Sequence, residues 1–143
     1  MATLDSAISA AASALSAERL RVEVAVSNLA NAESTRGPDG KAYRRRDVVL
    51  AAEPVDSFND VLGRATATGV RVADVIEDPT PGRQRYEPSH PDADKNGFVA
   101  LPNVDPSEEM VDMLSAARAY QANLTAISLI RDLVQRALEI GRG

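Results

Sequence analysis

The residues best equipped for chemistry lie together in Ser89-His90-Pro91-Asp92-Ala93-Asp94-Lys95-Asn96-Gly97, a stretch that holds the chain's single histidine and two carboxylates at close spacing. His90, Asp92 and Asp94 are suitable ligand types for a divalent cation, the equipment of a metal-dependent hydrolase, and Asp92, Asp94, Asn96 and Gly97 faintly resemble a calcium loop. The resemblance to a calcium loop stops there. Leu101 and Pro102 occupy the region where the final bidentate Glu belongs, and one His offers no second imidazole for zinc. The segment reads better as a Pro-bounded turn whose Asp and Asn side chains cap their own backbone, with no metal ligands expected.

Arg44-Arg45-Arg46 is a second candidate, for phosphate. Alternate residues of a strand point to opposite faces, so the run is not one basic patch, and no aromatic platform accompanies it. It reads as a solvated strand or a subunit contact. A net charge of −5 argues against non-specific nucleic-acid binding. With no Cys and one His there is no independent sign of a nucleophile, base and orienting group, and no Gly-rich phosphate loop is present. The expectation is a chain without catalytic or cofactor-binding residues: not an enzyme, and with no cofactor.

The elements that would hold such residues are two long helices around a small insert. From Ser107 to Ile140 there is no Gly or Pro, and Asp105-Pro106-Ser107-Glu108 supplies an acidic cap, Pro at the first helical position and Glu three residues after the cap. Gly141 suggests a left-handed stop. Met110, Met113, Ala117, Tyr120, Leu124 and Ile127 alternate steps of three and four, as in a coiled-coil seam, and Ile130, Leu133, Ala137 and Ile140 continue it one residue out of register. The first segment, about Leu4 to Asn31, repeats Ile8, Leu15, Val22 and Leu29 every seven residues and is thin and Ala-rich. Such helices bury little area per residue and gain most of their stability from assembly. Aromatics are only 3% of the 143 residues, so the isolated chain is expected to be marginal, with termini disordered before assembly.

Between the helices the spacing predicts strands near Tyr43–Ala51 and Gly69–Ile76, a short helical turn at Phe58–Leu62, and a loop-rich stretch 78–106 in which Phe98-Val99-Ala100-Leu101 is the strand candidate. The expected fold is α+β: residues 1–35 an N-terminal axial helix, 36–104 a β-rich insert, and 105–143 a C-terminal axial helix, the helices packing as a coiled-coil-like pair. No run is long and apolar enough to span a membrane, and the N-terminus lacks the basic and apolar regions of a cleavable secretory signal. Two readings of Asn28 stand side by side: a residue fixing register by hydrogen bonding across helices, or a solvent-facing residue near a helix end. Asn123 is a further candidate for the first role, and Asn31 reads as a C-terminal cap.

Leu15-Ser16-Ala17-Glu18-Arg19-Leu20 and Val26-Ser27-Asn28-Leu29-Ala30-Asn31-Ala32 resemble the N-terminal signature of the bacterial flagellar rod and hook proteins. Glu109-Met110-Val111-Asp112-Met113 and Arg118-Ala119-Tyr120-Gln121-Ala122-Asn123 resemble that family's C-terminal signature. Ala42-Tyr43-Arg44-Arg45, Tyr86 to Asp94, Gly97-Phe98-Val99 and Leu101-Pro102-Asn103-Val104 make the insert similar to that of its proximal-rod members; Ala14, Phe98 and Asp105 are mild departures.

The resemblance implies a structural subunit of the flagellar basal-body proximal rod, part of the drive shaft that transmits torque for motility. Implied partners are other rod proteins, further copies of itself and the flagellar type III export apparatus, with export unfolded and without signal cleavage and residence in the periplasm-spanning rod. The expected assembly residues are Leu15, Val22, Asn28, Leu29 and Asn31 from the first helix, and Met110, Met113, Tyr120, Asn123, Leu124 and Ile127 from the last. The rivals are a cytoplasmic coiled-coil adaptor and the hydrolase built on His90, Asp92 and Asp94.

Overall fold

The computed structural model describes residues 2–37, 40–55 and 68–141, with side chains from Leu4 onward; the turn expected at Phe58–Leu62 lies outside them. Helix α1 runs Ala2–Ala30 and helix α2 runs Pro106–Ile140. Strands β1 (Arg46–Pro54) and β2 (Thr68–Glu77) form one two-stranded sheet, and β3 (Gln84–Tyr86) and β4 (Phe98–Ala100) form another. The fold is α+β, two long helices flanking a small strand-rich insert.

Local chemistry sets the helix limits. Asp105 caps α2, its Oδ1 accepting the Ser107 N–H at 2.8 Å while its carbonyl accepts the Glu109 N–H at 3.1 Å. At the end of α1, the Asn31 side-chain amide donates to the Ser27 carbonyl at 2.8 Å, and Ser34 Oγ donates to Asn31 Oδ1. Orphan polar groups at both ends are thereby satisfied. Gly141 differs from expectation. Its N–H bonds the Ala137 carbonyl and continues the helical turn without a positive φ.

The described residues form two compact units, Met1–Leu20 with Leu50–Ala73 and Ser115–Gly143, and Arg21–Val49 with Asp74–Leu114. Each helix and each long strand contributes to both. In the first unit Ala17 and Ala116 are buried, and Ser13 Oγ accepts the Val70 N–H at 3.0 Å, which docks the start of β2 on α1. In the second unit the covered apolar residues are Ala25, Ala32, Val99, Leu101 and Val104. Alanine contributes little buried area, so the larger apolar anchors among the described residues are Val99, Leu101 and Val104 of the second unit.

β3 pairs antiparallel with β4 in the register Gln84↔Ala100, Arg85↔Val99 and Tyr86↔Phe98, with the last two rings edge to face at a centroid distance of 5.3 Å. The sequence reading did not anticipate β3. Gln-Arg-Tyr carries no apolar alternation, and its extended form comes from its partner strand and from Arg85, which pairs with Glu33 and Glu87. Gly97 at φ +83° closes the turn before β4, a conformation that favours glycine.

Candidate functional site

Asn28 is 1% exposed and uses its whole hydrogen-bonding capacity. Its Nδ2 donates to the Arg46 carbonyl at 2.9 Å and to Glu109 Oε2 at 3.0 Å. Its Oδ1 accepts from Tyr43 Oη at 2.9 Å and from the Arg46 N–H at 3.0 Å. One amide thus joins the last turns of α1, the start of β1 and the first turn of α2. A buried polar group with every bond made specifies one arrangement, since any slip leaves several groups unpaired.

Glu109, 2% exposed, is the second member of the tie. Its Oε1 accepts from Arg45 Nε, and the Arg45 guanidinium also meets Asp47 and Asp112. Burial pulls the Arg45 pKa down, but the hydrogen bond and charge of Glu109, followed by those of Asp47, outweigh this and hold it above its ordinary value. Arg45 stays cationic. Its own N–H donates to Asn103 Oδ1 at 3.1 Å, which ties β1 to the segment before α2. The Arg46 guanidinium lies 5.7 Å from the Tyr43 ring centroid, and Arg44 is exposed, so the three consecutive arginines have three surroundings.

The expected assembly residues divide by face. In α1, Asn28 is buried, while Leu15, Val22, Leu29 and Asn31 are half-buried beside a covered line of Ala17, Ala25 and Asn28. In α2 the covered or half-covered positions include Glu109, Met113, Ala116, Asn123, Ile127, Ile130 and Val134. Met113, Asn123 and Ile127 belong to that line. Met110, Tyr120 and Leu124 lie beside it and remain 52%, 38% and 47% exposed. The fully buried positions of α2 are thus Glu109 and Ala116, with Met113, Asn123, Ile127, Ile130 and Val134 half-covered, while Met110, Tyr120 and Leu124 are left outward. Asn123 donates to the Ala119 carbonyl of its own helix at 3.0 Å, whereas Asn28 bonds across to α2.

The His90 segment is occupied with its own backbone. Asp94 Oδ1 accepts the N–H groups of Asn96 and Phe98 at 2.8 and 2.9 Å, and His90 Nδ1 accepts the Asp92 N–H at 3.1 Å. Asp92 reaches back to Thr35 Oγ1 and Arg36. Among the described residues no group of three His, Asp or Glu side chains could hold a metal ion.

Sequence reasoning missed Glu109, Arg45, Tyr43 and Asn103 as members of a tie. In the first turn of α2 a carboxylate such as Glu109 is favoured by the helix dipole alone, yet Glu109, Ala116, Asn123 and Ile130 recur every seven positions, a signal that could have placed it on the inward face.

Comparison with known proteins matches residues 8–38 to the family model described as flagella basal body rod protein, and residues 95–140 to that described as flagellar basal body rod FlgEFG protein C-terminal. The first match includes Asn28 and the second Glu109. Across the whole chain, the flagellar basal-body rod protein FlgC of Borreliella burgdorferi is 41% identical, covering 98% of this chain and 99% of its own. FlgC of Escherichia coli O6:H1 is 46% identical over 92% of this chain and 93% of its own, and FlgC of Bacillus subtilis 40% over 94% and 96%.

Proposed function

Because the chain belongs to the FlgC family of flagellar basal-body rod proteins and is a structural subunit of that rod, we propose that it builds the proximal part of the drive shaft and transmits torque through contacts of its terminal helices. One observation carries the helix part of this reading: α2 leaves Met110, Tyr120 and Leu124 exposed at spacings that a neighbouring helix can cover. Leu15, Val22 and Leu29 of α1 and Met113 and Ile127 of α2 are half-covered and belong to the same proposed assembly set. Asn28, Asn31 and Asn123 hold the backbone that presents it.

The role is mechanical, with no catalytic step and no cofactor. The partners are other rod proteins and further copies of this chain, reached through the flagellar type III export apparatus without signal cleavage, in a rod that crosses the periplasm. No helix among the described residues is long and apolar enough to cross a membrane. Deleting the gene in its host and restoring a tagged copy tests the reading. Basal bodies without a completed rod in the deletion, and tagged protein within restored rods, are expected; normal flagella in the deletion strain would contradict it.

A further inference from the structure

The segment leading into β1 forms an open hollow of about 590 Å³ lined by Lys41, Tyr43, Arg44, Arg46 and Glu77, with Gly37 and Ala42. Three cations against one carboxylate make it basic in a chain of net charge −5. Arg44 is exposed and makes no hydrogen bond or ion pair among the described residues. Arg46 meets Glu77 at 3.5 Å with both side chains about half exposed, a weak and exchangeable pair. The wall between them is fixed, because Tyr43 Oη is held by Asn28 and the Tyr43 ring lies under Arg46.

The start of α2 carries a surface of opposite character. Ser107, Glu108, Val111 and Asp112 line a shallow hollow in which Glu108 is exposed and without a partner among the described residues, and Val111 is 66% exposed. Copies with a net charge of −5 repel one another as wholes, so approach is favoured where a basic surface of one meets an acidic surface of the next.

We propose that the hollow of Lys41, Arg44 and Arg46 receives the Glu108–Asp112 face of a second copy of this chain, Arg44 meeting Glu108 while its methylene stem covers Val111. The two surfaces differ, so the contact is heterologous and passes from copy to copy without closing on a pair. It rests on the rod function above and adds a contact made by the insert, separate from the exposed apolar stripe of the helix.

The absence of native cysteine allows a direct test. Arg44→Cys and Glu108→Cys versions, each separately tagged, are expressed together in the deletion strain, and isolated basal bodies are treated with a mild oxidant. A disulfide-linked dimer carrying both tags, absent when either variant is expressed alone, is expected. Rods containing both variants but yielding no mixed dimer would overturn the contact and leave the rod function standing, whereas absence of the untreated, tagged native chain from rods would overturn both. Charge reversal gives the second arm. R44E and E108R each lose incorporation into rods, and the doubly reversed chain regains it; a double variant as deficient as the singles overturns the proposal.

Discussion

Asn28 near the end of α1 and Glu109 in the first turn of α2 stand 81 positions apart, yet share a buried hydrogen bond of 3.0 Å. The bond closes a tie in which Arg45 and Arg46 of the insert also take part. Both partners fall within the segments matched to flagellar rod families. The long helices of this rod subunit are thus fastened to the insert by polar bonds, and their large apolar side chains remain available at the surface.

Asn28→Leu keeps the branching at Cγ and removes four hydrogen bonds, leaving Glu109, Tyr43 and both backbone groups of Arg46 without that partner. Each buried group left unsatisfied costs about 1–3 kcal/mol, so a net loss of about 3 kcal/mol or more is expected in urea unfolding of the purified chain. A midpoint equal to that of the native chain would show that the tie does not stabilise the fold.

Arg45→Met strands the Glu109 carboxylate without its cation and is expected to cost about 3 kcal/mol. Arg45→Met combined with Glu109→Leu removes both charges and is expected to be less destabilised than Arg45→Met alone. The double-mutant cycle measures this directly. Strict additivity would mean that Arg45 and Glu109 are not coupled.

At Gly82 a Cβ would collide with the Leu101 carbonyl oxygen, so Gly82→Ala must move backbone. The neighbouring Leu101 N–H to Arg83 carbonyl bond, 2.8 Å long, would be disturbed as well. A loss of about 1–3 kcal/mol follows from overpacking. Thermal melts followed by circular dichroism check it, with an unchanged midpoint as the contrary result.

The Thr80 hydroxyl and N–H hold the Asp78 carboxyl below its ordinary pKa of 3.8, with the Arg45 charge adding to this. A lowered folded pKa contributes stability that is present above the unfolded value and lost as pH falls through the folded one. Asp78→Asn is therefore expected to lower the melting temperature slightly at neutral pH, with the difference shrinking in acid below the ordinary carboxylate pKa. A difference that grows on acidification would reverse the assigned sign.

Helix extent was legible because caps and breakers are local: Asp105 and Pro106 start α2 where their chemistry says, and Asn31 ends α1. The inward face was harder to read. Periodicity finds apolar stripes but does not distinguish a stripe that packs within the chain from one that waits for a neighbour. Met110, Tyr120 and Leu124 carry the stronger apolar signal, while Glu109, Ala116 and Asn123 sit inward because small side chains permit close approach and Glu109 meets Asn28. Asn28 is open between two readings in the sequence, and its bonds to Tyr43, Arg46 and Glu109 decide it, Glu109 lying 81 positions away. β3 was invisible for a similar reason. Its three residues are extended by pairing with β4, a non-local cause.

The measurement that tests the central claim most directly is to restore the deletion strain with Leu124→Asp and compare basal bodies with those restored by the native chain. Leu124 is 47% exposed, so the change is expected to leave the unfolding free energy of the purified chain within about 0.5 kcal/mol of the native value. It places an unpaired charge where the proposed rod contact has a neighbouring helix pack. The account predicts a folded protein present in cells at native levels, incomplete rods and no swimming. Complete rods containing the variant, with normal swimming, would contradict it.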